Sequence, residues 1–428
     1  MTGVGIILCI SAVVLILIGL PIAYALSAAG IVALIADGGT PLTVFPQRFF
    51  TAINSFPLMA IIFFVIAGEL MMQGGISKRL VNFCAVFFGW MRGSLSLITI
   101  VTSAFFGAIS GSALATAAAI GGIMYPEMIK DGEYEPEFAS AVIGVAGTLG
   151  LMIPPSIPLI LYGTLTGASV GGLFLAIVIP GILITGLYMV TSYVIIVKKG
   201  LAKGKQREKV HLLKAFWEGL PALITPVIIL GGIYSGIFTP TESAVAASVY
   251  AIIIGVFVYK ELNFKTAYKA LVNSAVTSAV IMFLIGAASF FGWVMTVQNI
   301  PQIVSAWLVS VSGSKLTFLI MVNVFYLIAG MLMETSTIIL LAVPLVYPVA
   351  MQFGIDPVHF GVITCTNLAM GMFTPPFGAN IFLAAGMGHL KVDAVFKAAL
   401  PFIFVAILGC LIITFIPALS SMLLQVSM

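Results

Sequence analysis

Charge is the scarcest feature of this sequence: of 428 residues only 7% are Asp, Glu, Lys or Arg, while 61% are hydrophobic. A soluble globular chain carries roughly a quarter charged residues, so a water-facing surface on all sides is excluded. The four cysteines, Cys9, Cys84, Cys365 and Cys410, are scattered with no CxxC, which argues against a disulfide framework or a cysteine metal site. The three histidines, His211, His359 and His389, lie far apart and are expected to be surface or capping groups. Neither HExxH nor GxxxxGK[ST] occurs, which disfavours an intramembrane metalloprotease and an ATP-driven pump.

What is present is apolar length. Runs of about 20 residues, enough to span a bilayer, follow one another from Val4 onward. Segments such as CISAVVLILIGL are apolar on every face, whereas barrel strands alternate, so the expected class is an all-α polytopic membrane protein. The start, MTGVGIILCISAVVLILIGLPIAYALSAAG, resembles a signal peptide at AYALSA, but it lacks a basic n-region and its apolar run is too long. It is read as two spans joined at Gly19-Leu20-Pro21.

The basic segment KKGLAKGKQREKVHLLK, 198–214, holds seven of the 18 Lys and Arg residues and is expected on the cytoplasmic side, as a topology signal rather than a nucleic-acid site. Outward from it, crossings are expected at 4–20, 22–36, 56–73, 136–168 and 171–197, then at 219–237, 241–259, 275–297, 358–389 and 394–417. Segments 94–129 and 316–353 each carry a polar, small-residue midpoint and are expected to be re-entrant hairpins. This arrangement leaves only Arg48 and Lys315 outside, obeying the positive-inside rule, and puts both termini in the periplasm.

Five crossings per half predict two inverted-topology repeats: residues 1–200, a basic cytoplasmic linker at 201–214, and residues 215–428. FFVIAGELMM (63–72) parallels FYLIAGMLME (325–334), MYP (124–126) parallels VYP (346–348), and Glu135-Pro136 parallels Asp356-Pro357. GLMIPPSIPL (150–159) and GMFTPPFGAN (371–380) match at an offset of 221 residues. Inverted repeats are a common build of secondary transporters.

Each Pro-Pro interrupts an apolar run where a continuous helix is expected. Pro154 and Pro155 have no N–H, so the carbonyls of Gly150 and Leu151 lose their helical donors, and Ile153 is pushed toward an extended conformation. Gly371, Met372 and Thr374 precede Pro375 and Pro376 in the same way. Freed carbonyls at mid-membrane need partners. A cation at the carbonyls, with an anionic group at the N-terminus of the following half-helix, supplies them. A packed proline kink explains one such break; two in matching places favour a site.

The hairpin midpoints add hydroxyls: Ser110, Ser112 and Thr116 in FFGAISGSALATAAAIGG, then Thr335, Ser336 and Thr337 beside Glu334 in METSTIILL. Each tip is expected against one break. Asp356 before Pro357, and Thr239 before Pro240 with Glu242 following, fit helix N-caps, the second a capping box. That leaves Glu69 and Glu334 as the acids for a proton relay, so neutral oxygens around an alkali cation, sodium, are the preferred reading. A proton-coupled carboxylate carrier and a passive anion channel are the alternatives.

The segments ISGSALATAAAIGGIMYPEM, LMIPPSIPLILYG, GGIYSGIFTPTESAVAA, GIDPVHFGV and MFTPPFGANIF together resemble the large membrane subunit of tripartite ATP-independent periplasmic (TRAP) transporters, over nearly the whole chain. The resemblance implies sodium-driven uptake of an organic acid, such as sialic acid or a C4-dicarboxylate, by an elevator-type motion in a bacterial inner membrane. It implies a small four-helix membrane subunit and a periplasmic substrate-binding protein as partners, and no cofactor besides the coupling ion. It places one sodium among Ser110, Ser112, Gly150, Ile153 and Pro155, and a second among Thr335, Thr337, Gly371, Thr374 and Pro376. Glu334-Thr335 departs from the family's frequent Asp-Pro. Ser156, after the first break, and Asn380, after the second, are the expected substrate contacts, with Asn380 alternatively a cap of the half-helix. No arginine falls in either break, so helix N-termini and hydroxyls would bind the carboxylate.

Overall fold

A computed structural model describes residues 3–202 and 212–426. The middle of the basic linker, 203–211 with His211, lies outside the described residues, as do the first and last two. Every regular element among the described residues is helical.

The first part of the chain forms α1 (Gly3–Leu17), α2 (Ile22–Asp37), α3 (Val44–Ile53), α4 (Phe56–Gln73) and α5 (Ile76–Phe88). A hairpin of α6 (Ser94–Ser110) and α7 (Ala113–Ile129) follows, then α8 (Pro136–Gly147), α9 (Leu149–Met152), α10 (Ile157–Thr166) and α11 (Val170–Lys199). The second part contains α12 (Leu212–Pro226), α13 (Gly232–Tyr234), α14 (Pro240–Ile253), α15 (Phe264–Val297) and α16 (Ile300–Ser312). It ends with a second hairpin of α17 (Lys315–Leu332) and α18 (Thr335–Gln352), then α19 (Pro357–Gly371), α20 (Ala379–Met387), α21 (Val392–Phe415) and α22 (Ala418–Val426). Among the described residues nine helical segments are long and apolar enough to cross a bilayer, and α17 and α18 are among them. The chain is a multi-pass membrane protein. Ile10, Val13 and Leu17 of α1 and Val276 and Val280 of α15 are exposed, as lipid-facing residues are.

Most boundaries fall where proline and capping chemistry put them. Pro136, Pro240 and Pro357 each open a helix, where the missing N–H has no intrahelical partner to lose. Thr239 and Glu242 form the expected capping box, and the Asp356 carboxylate accepts from the N–H groups of Val358 and His359, both at 2.9 Å.

The structure departs from the sequence expectation in four places. Helices α3, α5 and α16, of 10 to 13 residues, were not expected as separate elements. They are too short for a span, and α5 buries Ile76, Leu80 and Cys84, one stripe at a spacing of four, while Lys78 faces out. Helix α15 begins at Phe264 rather than 275, because Asn263 and Thr266 make a second capping box and Lys265 and Lys269 lower the hydropathy of its first turns. The crossings expected at 219–237 and 241–259 contain π-helical turns at Val227–Gly231 and Ile254–Val258. Finally, the parallel between FFVIAGELMM and FYLIAGMLME joins unlike surroundings: the first lies in α4, packed on α14 and α15, the second runs from α17, packed on α19, into the second hairpin tip. Its offset, 262 residues, also differs from the 222 of the Tyr-Pro pair, so shared apolar composition accounts for it.

Two groupings emerge. Helices α1, α2, α3, α4, α14 and α15 pack on one another, while the hairpins, the broken helices, α11 and α21 form a second group whose core holds α8, α9 and α19, with α11, α17 and α21 each exposing apolar residues on one side. Within that group the halves interlock crosswise: α10 packs on α18, and α20 packs on α7 and α8.

Candidate functional site

The first break opens between α9 and α10. Ile153, the C-cap of α9, is extended (φ −99°, ψ 119°), as the following proline requires, and its N–H still bonds to the Leu149 carbonyl at 2.9 Å. Among the described residues no backbone N–H reaches the carbonyls of Gly150 or Leu151.

The first hairpin tip seats directly on this break. Gly111 ends α6 with φ +61°, a conformation glycine takes without strain, and Ser112 caps α7 by accepting from the Ala115 N–H at 3.4 Å. The Ile157 N–H, at the head of α10, bonds to the Gly111 carbonyl at 3.4 Å. A Cβ placed on Gly107 would lie 2.8 Å from Gly150 Cα, and one on Gly150 would lie 2.5 Å from the Ser112 carbonyl oxygen. Ser110 Oγ and Thr116 Oγ1 share a hydrogen bond of 2.8 Å beside Gly150. A Cβ on Gly111 would stand 3.0 Å from the Pro155 carbonyl oxygen. Ser110, Ser112, Gly150 and Pro155 are thus brought together, whereas the Ile153 side chain turns toward Gly181 of α11.

The second break lies between α19 and α20 and differs in detail. Its freed groups are partly re-paired within the chain: the Thr374 N–H bonds to the Gly371 carbonyl at 3.1 Å and the Asn380 N–H to the Met372 carbonyl at 2.9 Å. Thr374 Oγ1 donates to the Met370 carbonyl at 2.7 Å. The hairpin approaches through glycine again, since a Cβ on Gly330 would stand 3.1 Å from Gly371 Cα. Thr335 and Thr337 occupy the first turn of α18, both buried. The Glu334 carboxylate caps that turn, accepting from Ser336 N–H at 2.9 Å and Thr337 N–H at 3.3 Å. Pro376 and Phe377 are exposed, while Pro154 and Pro155 are buried, so the two breaks differ in access.

Several buried oxygens here have no hydrogen-bond partner among the described residues: Ser156 Oγ, Thr335 Oγ1 and Asn380 Oδ1. Burying such an atom unpaired is unfavourable, and oxygen donors without thiolate or imidazole suit a hard cation. No group of three His, Cys, Asp or Glu residues that could hold a metal ion occurs among the described residues. Ser156 is the N-cap of α10. Asn380 is the second residue of α20 behind the N-cap Gly378, so it is not a cap. Its Nδ2 donates to the Gly144 carbonyl at 3.0 Å, tying α20 to α8.

Sequence reasoning left Gly107 and Gly330 out of the site. Their signal was a small residue shortly before each polar tip. His359 also differs from expectation: its N–H is capped by Asp356, but its ring is buried, with Nδ1 3.0 Å from Ser420 Oγ and Nε2 3.2 Å from the Thr414 carbonyl. Ser169 lies in GASVG, the spacing of a nucleophile elbow, but it caps α11 by accepting from the Gly172 N–H at 3.2 Å.

The family model described as tripartite ATP-independent periplasmic transporter, DctM component, matches residues 9–419. The isethionate TRAP transporter permease protein DctMQ of Oleidesulfovibrio alaskensis is 42% identical over 94% of this chain, which spans 63% of that protein. The C4-dicarboxylate TRAP transporter large permease protein DctM of Rhodobacter capsulatus is 36% identical, covering 95% of this chain and 96% of its own length. The sialic acid TRAP transporter large permease protein SiaM of Vibrio cholerae is 36% identical over 90% of both chains. In fold, the chain is similar to the YdaH transporter of Alcanivorax borkumensis, with TM-score 0.63 and 14% identity over 90% of this chain and 89% of that one. It is similar also to MtrF of Neisseria gonorrhoeae, with TM-score 0.63 and 12% identity over 97% and 95%.

Proposed function

This chain belongs to the DctM component family of tripartite ATP-independent periplasmic transporters, and from that membership we propose that it is the carrier subunit of a sodium-coupled importer of an organic acid. It is a transporter permease and not an enzyme. The observation that carries the sodium reading is the seating of each hairpin against a broken helix through facing glycines, Gly107 on Gly150 and Gly330 on Gly371. In the first pair, the Gly150 and Leu151 carbonyls have no N–H partner among the described residues, and the Ser112 carbonyl oxygen and Thr116 Oγ1, itself bonded to Ser110 Oγ, lie beside Gly150. The first sodium is assigned to Ser110, Ser112, Gly150, Ile153 and Pro155, with Thr116 Oγ1 bonded to Ser110 Oγ beside Gly150; the second to Thr335, Thr337, Gly371, Thr374 and Pro376.

The substrate is an organic acid, and the named relatives that carry isethionate, C4-dicarboxylates and sialic acid define the range to test. Ser156 heads the half-helix α10, whose positive N-terminal end favours a carboxylate or sulfonate. Asn380 contributes its unpaired Oδ1 from the opposite half. A small four-helix membrane subunit and a periplasmic binding protein are the assigned partners, with both termini of this chain in the periplasm. The two halves are read as inverted repeats. The interlocked core would move as an elevator against the remaining helices, and Gly68 of α4, whose Cβ would lie 3.2 Å from Ser110 Cα, is one point where they now meet.

The test is the thermal stability of the purified chain in sodium chloride against potassium and choline chloride at equal ionic strength. A saturable stabilisation by sodium alone, reduced in Ser112→Ala and Thr335→Val, is the expected result. Equal melting temperatures in the three salts would remove the sodium assignment.

A further inference from the structure

The second hairpin is joined to its broken helix by a polar device that the first one lacks. Asn323 lies in α17, seven residues before Gly330, and Asn367 lies in α19, four residues before Gly371, and both are buried. Asn367 Nδ2 donates to Asn323 Oδ1 at 2.8 Å, so the two helices are pinned about one to two turns ahead of the contact between the glycines. Both amides are also tied to their own helices: Asn323 Nδ2 donates to the Leu319 carbonyl at 2.7 Å and Asn367 Nδ2 to the Ile363 carbonyl at 3.0 Å. A third element closes on the same acceptor. Thr414 Oγ1 lies 3.1 Å from Asn323 Oδ1 and 2.8 Å from the Cys410 carbonyl, its single proton serving one at a time, and Cys410 Sγ lies 3.4 Å from Asn323 Oδ1.

Counting back by the same seven and four residues from Gly107 and Gly150 reaches Ile100 and Ala146, which are buried and apolar. The first hairpin therefore has no amide pair at the equivalent positions, and the bond that ties its tip to the broken helix is a backbone one, from the Ile157 N–H to the Gly111 carbonyl. Apolar surfaces tolerate small rotations and slides, whereas a hydrogen bond weakens steeply with distance and angle. An amide pair whose members are each anchored to their own helix fixes both the rotation and the axial register of α17 on α19. That register is passed within five residues of Gly330 to Glu334 and Thr335 at the tip.

We propose that Asn323 and Asn367 are positioning residues for the second cation site: their amide–amide hydrogen bond sets the placement of the Thr335 tip against the Gly371–Thr374 break. The assignment rests on the sodium reading above. It gives the second site a side-chain pair that fixes its register and that the first site lacks, so loss of the amide pair weakens one sodium and spares the other.

The experiment uses the full-length chain with sodium alone as the probe and choline as the ionic control. The quantity read is the sodium concentration giving half of the maximal thermal stabilisation. Asn323→Leu and Asn367→Leu are each expected to raise it at least fivefold. A purely structural role for the pair lowers the melting temperature without sodium and leaves that concentration within twofold of the wild type; this result overturns the proposal. Should the single variants not fold, the double variant Asn323→Leu/Asn367→Leu, which leaves neither amide unpaired, carries the same expectation and the same refutation. A wild-type protein indifferent to sodium sinks the sodium reading and this proposal with it. A sodium-responsive wild type with unshifted variants sinks the proposal alone.

Discussion

Gly330 of the second hairpin and Gly371 of the second broken helix meet backbone to backbone, so that a Cβ on Gly330 would stand 3.1 Å from Gly371 Cα. Gly107 and Gly150 repeat the relationship in the first half, at 2.8 Å from the Gly107 Cβ position to Gly150 Cα. No side chain intervenes, which is what allows a hairpin tip and a broken helix to share one small volume of oxygen atoms.

The first prediction follows from that closeness. A Cβ at residue 150 would lie 2.5 Å from the Ser112 carbonyl oxygen, a backbone atom that cannot swing aside. Gly150→Ala is expected to destabilise by about 1–3 kcal/mol, the range for overpacking a filled core, and to abolish part of the sodium-induced thermal shift. Gly386→Ala is the control, because nothing lies within 4 Å of its Cβ position. Thermal denaturation of both variants with and without sodium decides it, and a Gly150→Ala protein that behaves like Gly386→Ala would count against the tight seating.

A second prediction separates stability from ion binding. Thr239→Ala removes one half of the capping box on α14, whose first turn carries Glu242. It should lower stability by about 1 kcal/mol and leave the half-effect sodium concentration unchanged, since α14 packs on α4 rather than on either break. A shift in sodium response as large as that of Ser112→Ala would show that the response tracks general stability.

Proton coupling makes a different demand on the chain. Glu69 of α4 is half-buried, with Asn273 Nδ2 3.5 Å from Oε2, and with Glu334 it is one of the two acids left for a proton relay. With sodium held by hydroxyls and carbonyls, which do not titrate near neutrality, Glu69→Gln is expected to retain sodium-driven uptake within about threefold, an effect of well under 1 kcal/mol. Uptake that is lost in Glu69→Gln and driven by a pH gradient in the wild type would transfer the coupling to protons.

The parts of this architecture legible in the sequence are those written in local chemistry. Pro154-Pro155 and Pro375-Pro376 announce their breaks because a missing N–H cannot be disguised, and the caps at Thr239 and Asp356 are short-range hydrogen bonds between near neighbours. The hairpins were marked by small residues at their tips. What escaped was set by packing between distant segments. Nothing near Asn323 or Asn367 in the sequence indicates that they meet across 44 residues. His359 looked like a capping group because Asp356 is close in sequence, while Ser420, its ring partner, is 61 residues away. The helices α3, α5 and α16 were overlooked because an amphipathic helix of 10 to 13 residues between long apolar runs is masked by its neighbours' hydropathy.

Coupling itself is tested most directly by transport. Liposomes would hold this chain with its small membrane subunit, and the external medium the periplasmic binding protein loaded with a radiolabelled acid, succinate, isethionate and N-acetylneuraminate tried in turn. With the membrane potential clamped, an inward sodium gradient is expected to drive accumulation of one of these acids, and replacing external sodium by potassium to reduce its uptake at least tenfold. An acid that enters equally fast in potassium, given the same binding protein and potential, would contradict the account.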